Sequence, residues 1–314
     1  MTQPKVSIII PVYNGANYLS NSIDCALRQT YVNKEIIVVN DGSTDNGETE
    51  KIAKSYGDKI TYISKQNGGV SSALNEGIKR MNGEYFSWLS HDDLYTDDKI
   101  SSSIDLLIKN GQINRKCIAF TSGYFIDADC NKLGSFKTYF KENVIYSGKE
   151  VVDIMTKKGT LNGCCMLIPR QAFDDAGLFN VDLRYSQDSL MWYNIFLADY
   201  SLISDNKSNV MYRLHRNQAS QLHRSLYEKD SLAIAKVLAT PIFKSDVTGR
   251  IFYQYTKRLT KNCCDQAISY LLKYSKENKV LTFPRILLLR AHKVWGHIRF
   301  ALVNIVKKMM IRNR

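Results

Sequence analysis

The chain has 314 residues, 44% of them apolar, and a formal net charge of +13. That apolar content supports one large core or two modest ones. Eight Lys and Arg residues and no acidic residue lie between Leu281 and Arg314, and a basic excess concentrated in one segment argues against a nucleic-acid groove spread over the fold. The seven cysteines include two vicinal pairs, Cys164-Cys165 and Cys263-Cys264, and no C-x-x-C spacing. They read as reduced, packed thiols rather than a metal site. The apolar run Val6 to Val12 is too short for a signal segment or a membrane span, so a cytoplasmic protein is expected.

Val6 to Ile10 is a β-branched run that ends in Pro11-Val12-Tyr13-Asn14-Gly15 and predicts a first strand. Leu19, Ile23, Ala26 and Leu27 recur at helical spacing within Asn17 to Gln29. Glu35 to Val39 is a second strand, closed by Asn40-Asp41-Gly42-Ser43, and Thr44 or Asp45 can cap the helix that follows to about Tyr56. Lys59 to Ile63 is a third strand, Asn67-Gly68-Gly69 a turn, Val70 to Met81 a helix and Tyr85 to Leu89 a fourth strand. This alternation predicts a parallel sheet with helices on both faces. Right-handed crossovers give it the order 3-2-1-4. After Asp97 the spacing predicts a helix over Ile100 to Ile108 and strands over Cys117 to Ile126 and Gly163 to Ile168. A short helix is expected over Phe173 to Leu178, an amphipathic one over Asp188 to Leu197, and mostly helix from Leu226 onward.

Ser90-His91-Asp92-Asp93 follows the fourth strand. In such sheets ligands bind beyond the carboxyl ends of the strands, where strand order reverses. Adjacent carboxylates there suit a divalent cation, and the cation a diphosphate, although Asp-Asp also commonly starts a helix. In the order 3-2-1-4, Pro11-Val12-Tyr13 faces these residues across one crevice, with Asp41 beside them.

The order and spacing of several segments resemble the family 2 glycosyltransferases of the GT-A fold, an inverting group that elongates bacterial polysaccharides. The matching text is Val6-Ser7-Ile8-Ile9-Ile10-Pro11-Val12-Tyr13-Asn14 and Ile36-Ile37-Val38-Val39-Asn40-Asp41-Gly42-Ser43-Thr44-Asp45. It continues through Asn67-Gly68-Gly69, Asn75, Gly77 and Gly83-Glu84-Tyr85 to Asp92-Asp93. The likeness is strong over residues 5 to 95, fair over 160 to 220 and absent beyond about 230. It implies an α/β, Rossmann-like, doubly wound and mostly parallel sheet. A GT-A domain would span residues 1–225, with a nucleotide-binding half at 1–98 and an acceptor-binding half at 99–225, followed by a helical basic extension at 226–314.

The resemblance also implies roles. Pro11 and Tyr13 line a nucleobase pocket, and Asp41 accepts a hydrogen bond from the base, its alternative being a turn Asp before Gly42. Asn67 and Lys65 reach the nucleotide. One of Asp92 and Asp93 binds Mn²⁺ or Mg²⁺ and the other the ribose or the cation's waters, with Ser90 standing where the family often has Asp. Asp188 is the general base of an in-line displacement, preceded by Gln187 in place of a common acidic residue; otherwise it is an ordinary first-turn helix Asp. In Tyr212-Arg213-Leu214-His215-Arg216-Asn217-Gln218-Ala219-Ser220, His215 completes the cation's ligands and Arg213 contacts the diphosphate. Gly163-Cys164-Cys165 borders a sugar or simply packs.

The implied reaction moves a sugar from a nucleotide donor, UDP-linked by expectation, to a hydroxyl of a glycan or lipid-linked acceptor. Two other readings stand beside it. A sugar nucleotidyltransferase would use a Gly-rich basic N-terminal loop, which Pro11-Val12-Tyr13-Asn14 is not. An inactive glycan- or nucleotide-binding scaffold is the reading that Ser90 and Gln187 keep open. In the tail, Leu287, Ala291, Val294, Ile298, Leu302, Ile305 and Met309 recur at helical steps among Arg290, Lys293, His297, Arg299, Lys307, Lys308 and Arg312, with Trp295 and Phe300 as aromatic anchors. Such a cationic amphipathic helix suits an anionic membrane surface, so residues 284–314 are expected to place the protein peripherally on the inner face of the cell membrane. A helix packed on the catalytic domain is the alternative.

Overall fold

A computed structural model describes residues 3–136, 139–215, 224–239, 250–261, 264–280 and 285–297. The chain divides into two compact units, residues 1–152 with 160–221 and residues 153–159 with 222–314. The first unit holds the sheet and the candidate site.

Strand β1 (Val6–Val12) is buried at every position. A strand covered on both faces needs a continuous rather than alternating apolar run. It pairs in parallel with β2 (Lys34–Asn40), and β2 pairs in parallel with β3 (Thr61–Ser64). The crossovers carry α1 (Leu19–Leu27), α2 (Glu48–Lys54) and α3 (Val70–Arg80). β4 (Tyr85–Trp88) joins the other side of β1, also in parallel. The order 3-2-1-4 is therefore observed, and strand order reverses between β1 and β4. Two of the glycines carry close packing. A Cβ at Gly77 would stand 2.5 Å from Ile9 Cγ2, and one at Gly83 2.5 Å from Ser7 Oγ. α3 and the loop before β4 thus rest directly on β1.

The rest of the unit extends this sheet. β5 is Leu94–Tyr95, α4 Lys99–Lys109, β6 Cys117–Ile126, β7 Lys132–Ser135, β8 Ile145–Tyr146 and α5 Gly148–Lys158. β9 (Met166–Pro169), α6 (Gln171–Ala176), α7 (Gln187–Leu197) and β10 (Ser201–Arg213) follow. The full order is β3-β2-β1-β4-β9-β6-β10-β5, with β7 on β6 and β8 on β10. β9 is antiparallel to both neighbours, whereas β10 runs parallel to β6.

Several elements differ from expectation. The third strand starts at Thr61 because Gly57–Lys59 forms a 3₁₀ turn. Gly163–Cys165 is also a 3₁₀ turn, and only Met166–Pro169 is strand. The residue at the N-cap of α2 is Gly47, although Asp45 Oδ2 still accepts from the Thr49 N–H at 3.1 Å. α5, β5, β7, β8 and β10 were not anticipated.

In the second unit, α8 (Arg224–Ala239), α9 (Arg250–Lys261) and α10 (Asp265–Asn278) are helical, as are residues 285–297. On this last helix Leu289 is buried, and Lys293 Nζ and His297 Nε2 stand 3.2 and 3.0 Å from Asp265 Oδ1. Leu287, Leu288, Val294 and Trp295 are exposed. Ile298, Arg299, Phe300, Leu302, Ile305, Lys307, Lys308, Met309 and Arg312 lie outside the described residues, as do Arg216 to Ser220. Among the described residues no helix is long and apolar enough to cross a membrane.

Candidate active site

The loops that leave β1, β2 and β4 meet at the reversal point. Asn14, at a φ of 49°, turns the chain after β1, a conformation Asn tolerates. Its N–H donates to Ser43 Oγ (2.9 Å), and its Oδ1 accepts from the Thr44 N–H (2.7 Å). A Cβ at Gly15 would stand 2.5 Å from His91 Cδ2, so the first loop touches the fourth directly. Ser22 Oγ donates to the carbonyls of His91 (2.5 Å) and Asp93 (3.2 Å), pinning the fourth loop to α1. Pro11 is buried in β1, and Tyr13 is 46% exposed at the rim.

Asp41 is buried. Its Oδ1 accepts from Lys65 Nζ at 2.7 Å and the Gly68 N–H at 3.0 Å, and its Oδ2 from the Gly69 N–H at 2.6 Å. Gly69 is the N-cap of α3. The carboxylate therefore sits at a helix N-terminus, where unpaired N–H groups and the macrodipole favour an anion. Gly69 has a φ of +85°, and a Cβ there would lie 2.3 Å from Arg184 Nη1. Any side chain at this position would thus be both strained and obstructed. Lys65 is committed to Asp41 and to the Gln66 carbonyl, and Asn67 is exposed on the same loop.

The two carboxylates after β4 face opposite ways. Asp92 Oδ2 lies 2.9 Å from His215 Nε2, across 123 residues of chain. Asp93 turns inward. Its Oδ1 accepts from the Arg213 N–H at 3.0 Å and its Oδ2 from the Cys164 thiol at 3.6 Å. Burial, then the neighbouring Asp92, push its carboxyl well above the usual range. Asp93 thus anchors the end of β10 through the Arg213 N–H.

Arg213 also departs from the expected place. It is 1% exposed. Its Nε donates to the Asp92 carbonyl (2.8 Å), and its Nη1 to the carbonyls of Asp127 (3.1 Å) and Ala128 (2.7 Å). Through Nε and Nη1 the guanidinium thus braces three carbonyls beneath the site.

The Asp92–His215 pair can be tested against a cation. Neighbouring ligands of an octahedral Mg²⁺, each at about 2.1 Å, stand about 3.0 Å apart. The observed 2.9 Å between Oδ2 and Nε2 matches two adjacent positions of that shell. Carboxylate oxygen and imidazole nitrogen are suitable donors for Mg²⁺ or Mn²⁺. Among the described residues no group of three or more His, Cys, Asp or Glu is placed to hold a metal.

On the far side of the crevice, Asp188 is half-buried in the first turn of α7, its Oδ1 accepting from the Ser189 N–H at 2.6 Å. Two contacts bring this region to the nucleotide side. Asn75 of α3 exchanges hydrogen bonds with the backbone of Phe179, at 2.8 and 2.9 Å, and Arg184 lies over Gly69. Below, a Cβ at Gly163 would stand 2.5 Å from Trp88 Cε3 and 2.9 Å from Trp192 Cζ2. The absence of a side chain there lets α7 close on β4. Arg184 and Tyr18 are the site residues that the sequence did not single out. Arg184 stands four residues before Asp188, the only signal it offered, and Tyr18 offered none.

A mixed sheet whose strand order reverses between β1 and β4, with Asp92 and His215 paired beside that point, is the architecture in which α/β enzymes bind their ligands. The Glycosyl transferase family 2 model matches residues 7–177. The chain therefore belongs to the family 2 glycosyltransferases, a family of transferases. It is 46% identical over 220 residues to an uncharacterised glycosyltransferase of Rickettsia felis, covering 69% of this chain and 35% of that protein. An uncharacterised glycosyltransferase of Rickettsia typhi is 48% identical over 221 residues, covering 69% of this chain and 66% of that one. The chain thus spans about a third of the length of the first of these relatives. Among solved structures it resembles Staphylococcus aureus TarS residues 1–349 in complex with UDP-GlcNAc, with a TM-score of 0.67 and 17% identity, over 93% of this chain and 89% of that one. The fold is that of a GT-A enzyme with additional C-terminal helices.

Proposed function

We propose that the chain is an inverting glycosyltransferase that moves a sugar from a nucleotide-diphosphate donor to a hydroxyl of a glycan or lipid-linked acceptor. The observation that carries this is the Asp92–His215 pair, 2.9 Å apart at the point where strand order reverses. UDP is the proposed nucleotide; the TarS structures of similar fold hold UDP and UDP-GlcNAc. Pro11 and Tyr13 flank the base, Tyr13 with its exposed ring face. Asp41 keeps Gly68 and Gly69 oriented and accepts from the base N–H in place of one of its present donors, with Lys65 and Asn67 at the edge of the same pocket. Asp92 and His215 would hold Mn²⁺ or Mg²⁺, which when bound neutralises charge on the departing diphosphate. Asp93 and Arg213 keep that pair in place from below. Asp188, at the acceptor side, takes the proton of the attacking hydroxyl at a carboxylate oxygen.

The assignment of Asp188 is tested by Asp188→Asn, which keeps shape and removes the base. Transfer is expected to fall by about 10²–10⁴ with UDP affinity and melting temperature unchanged. Near-normal turnover by this variant would sink the assignment. The basic stretch 284–314 is proposed to hold the enzyme against an anionic membrane surface, next to a lipid-linked acceptor. Its support is the exposed row of Leu287, Leu288, Val294 and Trp295 beside Arg290 in residues 285–297.

A further inference from the structure

The groups that carry the Asp92–His215 pair include an aromatic ring with no part in the chemistry above. Tyr18 occupies the N-cap position of α1, where its carbonyl accepts from the Ser22 N–H at 3.3 Å. Its ring centroid lies 5.4 Å from that of His215, with the planes inclined by 51°. The Arg213 guanidinium carbon stands 4.5 Å from the centroid of the same ring. One ring thus meets both Arg213 and His215. Arg213 is in turn fixed through the Asp92 and Ala128 carbonyls. His215 lies two residues beyond the end of β10, next to Leu214, whose N–H donates to the Ile126 carbonyl at 2.8 Å.

We propose that Tyr18 is a positioning residue for the cation pair: its ring, held against Arg213, sets the plane of the His215 imidazole so that Nε2 faces Asp92. This rests on the reading of Asp92 and His215 as cation ligands. The physical reason is rotational. An imidazole that must present one nitrogen to a small cation loses affinity when its ring turns, which is why groups that orient metal-binding histidines matter nearly as much as the ligands. The contact is made by the ring face, so the hydroxyl is dispensable and the flat ring is not. Tyr18 also belongs to the segment that continues from Tyr13 and Asn14. The nucleobase side and the cation side of the crevice are therefore joined through one short stretch of chain.

The test uses the full chain in three forms, wild type, Tyr18→Phe and Tyr18→Ala. Mn²⁺ is titrated at a fixed UDP concentration, with free Mn²⁺ read by its electron paramagnetic resonance signal and the melting temperature followed in parallel. Tyr18→Ala is expected to raise the Mn²⁺ concentration for half-occupancy by about tenfold. Tyr18→Phe stays within about twofold of wild type, in keeping with its intact ring face. UDP binding without cation is the same in all three. If Ala lowers the melting temperature of the free protein, Tyr18→Leu keeps the volume and is expected to show the same tenfold loss. An unchanged Mn²⁺ requirement in Ala and Leu variants, or an equal loss in Tyr18→Phe, overturns the role of Tyr18 alone. A wild type that takes up no Mn²⁺ overturns the cation reading and the role of Tyr18 with it.

Discussion

Arg213 shows how far residue type alone misleads. An Arg two positions before a His, in a segment that resembles the family, invites a diphosphate contact. Its environment gives it another task, since it donates to the carbonyls of Asp92, Asp127 and Ala128, and of these Asp127 also accepts from the Cys130 N–H at 3.2 Å. Hydrogen bonds from a charged donor of this kind contribute about 1.5–3 kcal/mol each. Arg213→Gln is accordingly expected to lower the unfolding free energy by about 2–3 kcal/mol, measured by urea denaturation. A diphosphate ligand would give the opposite pattern, unchanged stability with weakened UDP binding. Asp93 is similar: the pair Asp92-Asp93 is visible in the chain, but which of two neighbours faces the crevice depends on Arg213 and Cys164, contributed from more than 70 residues away.

Among elements, the first four strands were legible because each is an unbroken apolar run bounded by turn residues, and burial on both faces leaves no alternation to misread. β10 was not. Its middle, Ser204 to Ser208, is polar and breaks register with β6, so neither a run nor a period-2 pattern survives. Yet β10 delivers Arg213 and leads to His215, and half of the cation pair was therefore readable only through family resemblance. α4 carries a second hidden feature. Lys99 is fully buried, donating to Ser87 Oγ at 2.7 Å and the Met166 carbonyl at 3.0 Å over the Tyr95 ring, beside Cys164 and Cys165. Burial pulls its ammonium from 10.5 down to about 7. Below about 7 both folded and unfolded chains carry the charge and folding bears its full desolvation cost. Between about 7 and 10.5 the unfolded chain binds more protons, so this group adds stability as pH rises. Wild type compared with Lys99→Met should gain up to about 1.4 kcal/mol per pH unit across that window, measured by denaturation at pH 7.5 and about 9.5. Parallel profiles would show that Lys99 does not titrate there.

For the whole molecule, the sheet unit holds the residues of the proposed site, whereas the basic excess resides in the other unit. The exposed apolar row on residues 285–297 is a liability in water unless something covers it. Co-sedimentation should show binding to phosphatidylglycerol vesicles and little to phosphatidylcholine, weakening as salt screens the charges. Leu288→Ser with Trp295→Ser should reduce it by about tenfold, as expected from losing roughly 1.4 kcal/mol of buried apolar surface. Equal binding to both lipids would remove the anionic surface as the partner.

The central claim, a nucleotide diphosphate held through a cation at Asp92 and His215, is tested most directly by thermal shift with UDP, GDP, dTDP and CDP, each with Mn²⁺ and with EDTA. UDP with Mn²⁺ is predicted to stabilise the wild type by about 2.7 kcal/mol at a hundredfold excess over its dissociation constant. The effect should vanish in EDTA and in Asp92→Asn. Stabilisation that survives EDTA, or none by any of the four nucleotides, would contradict it.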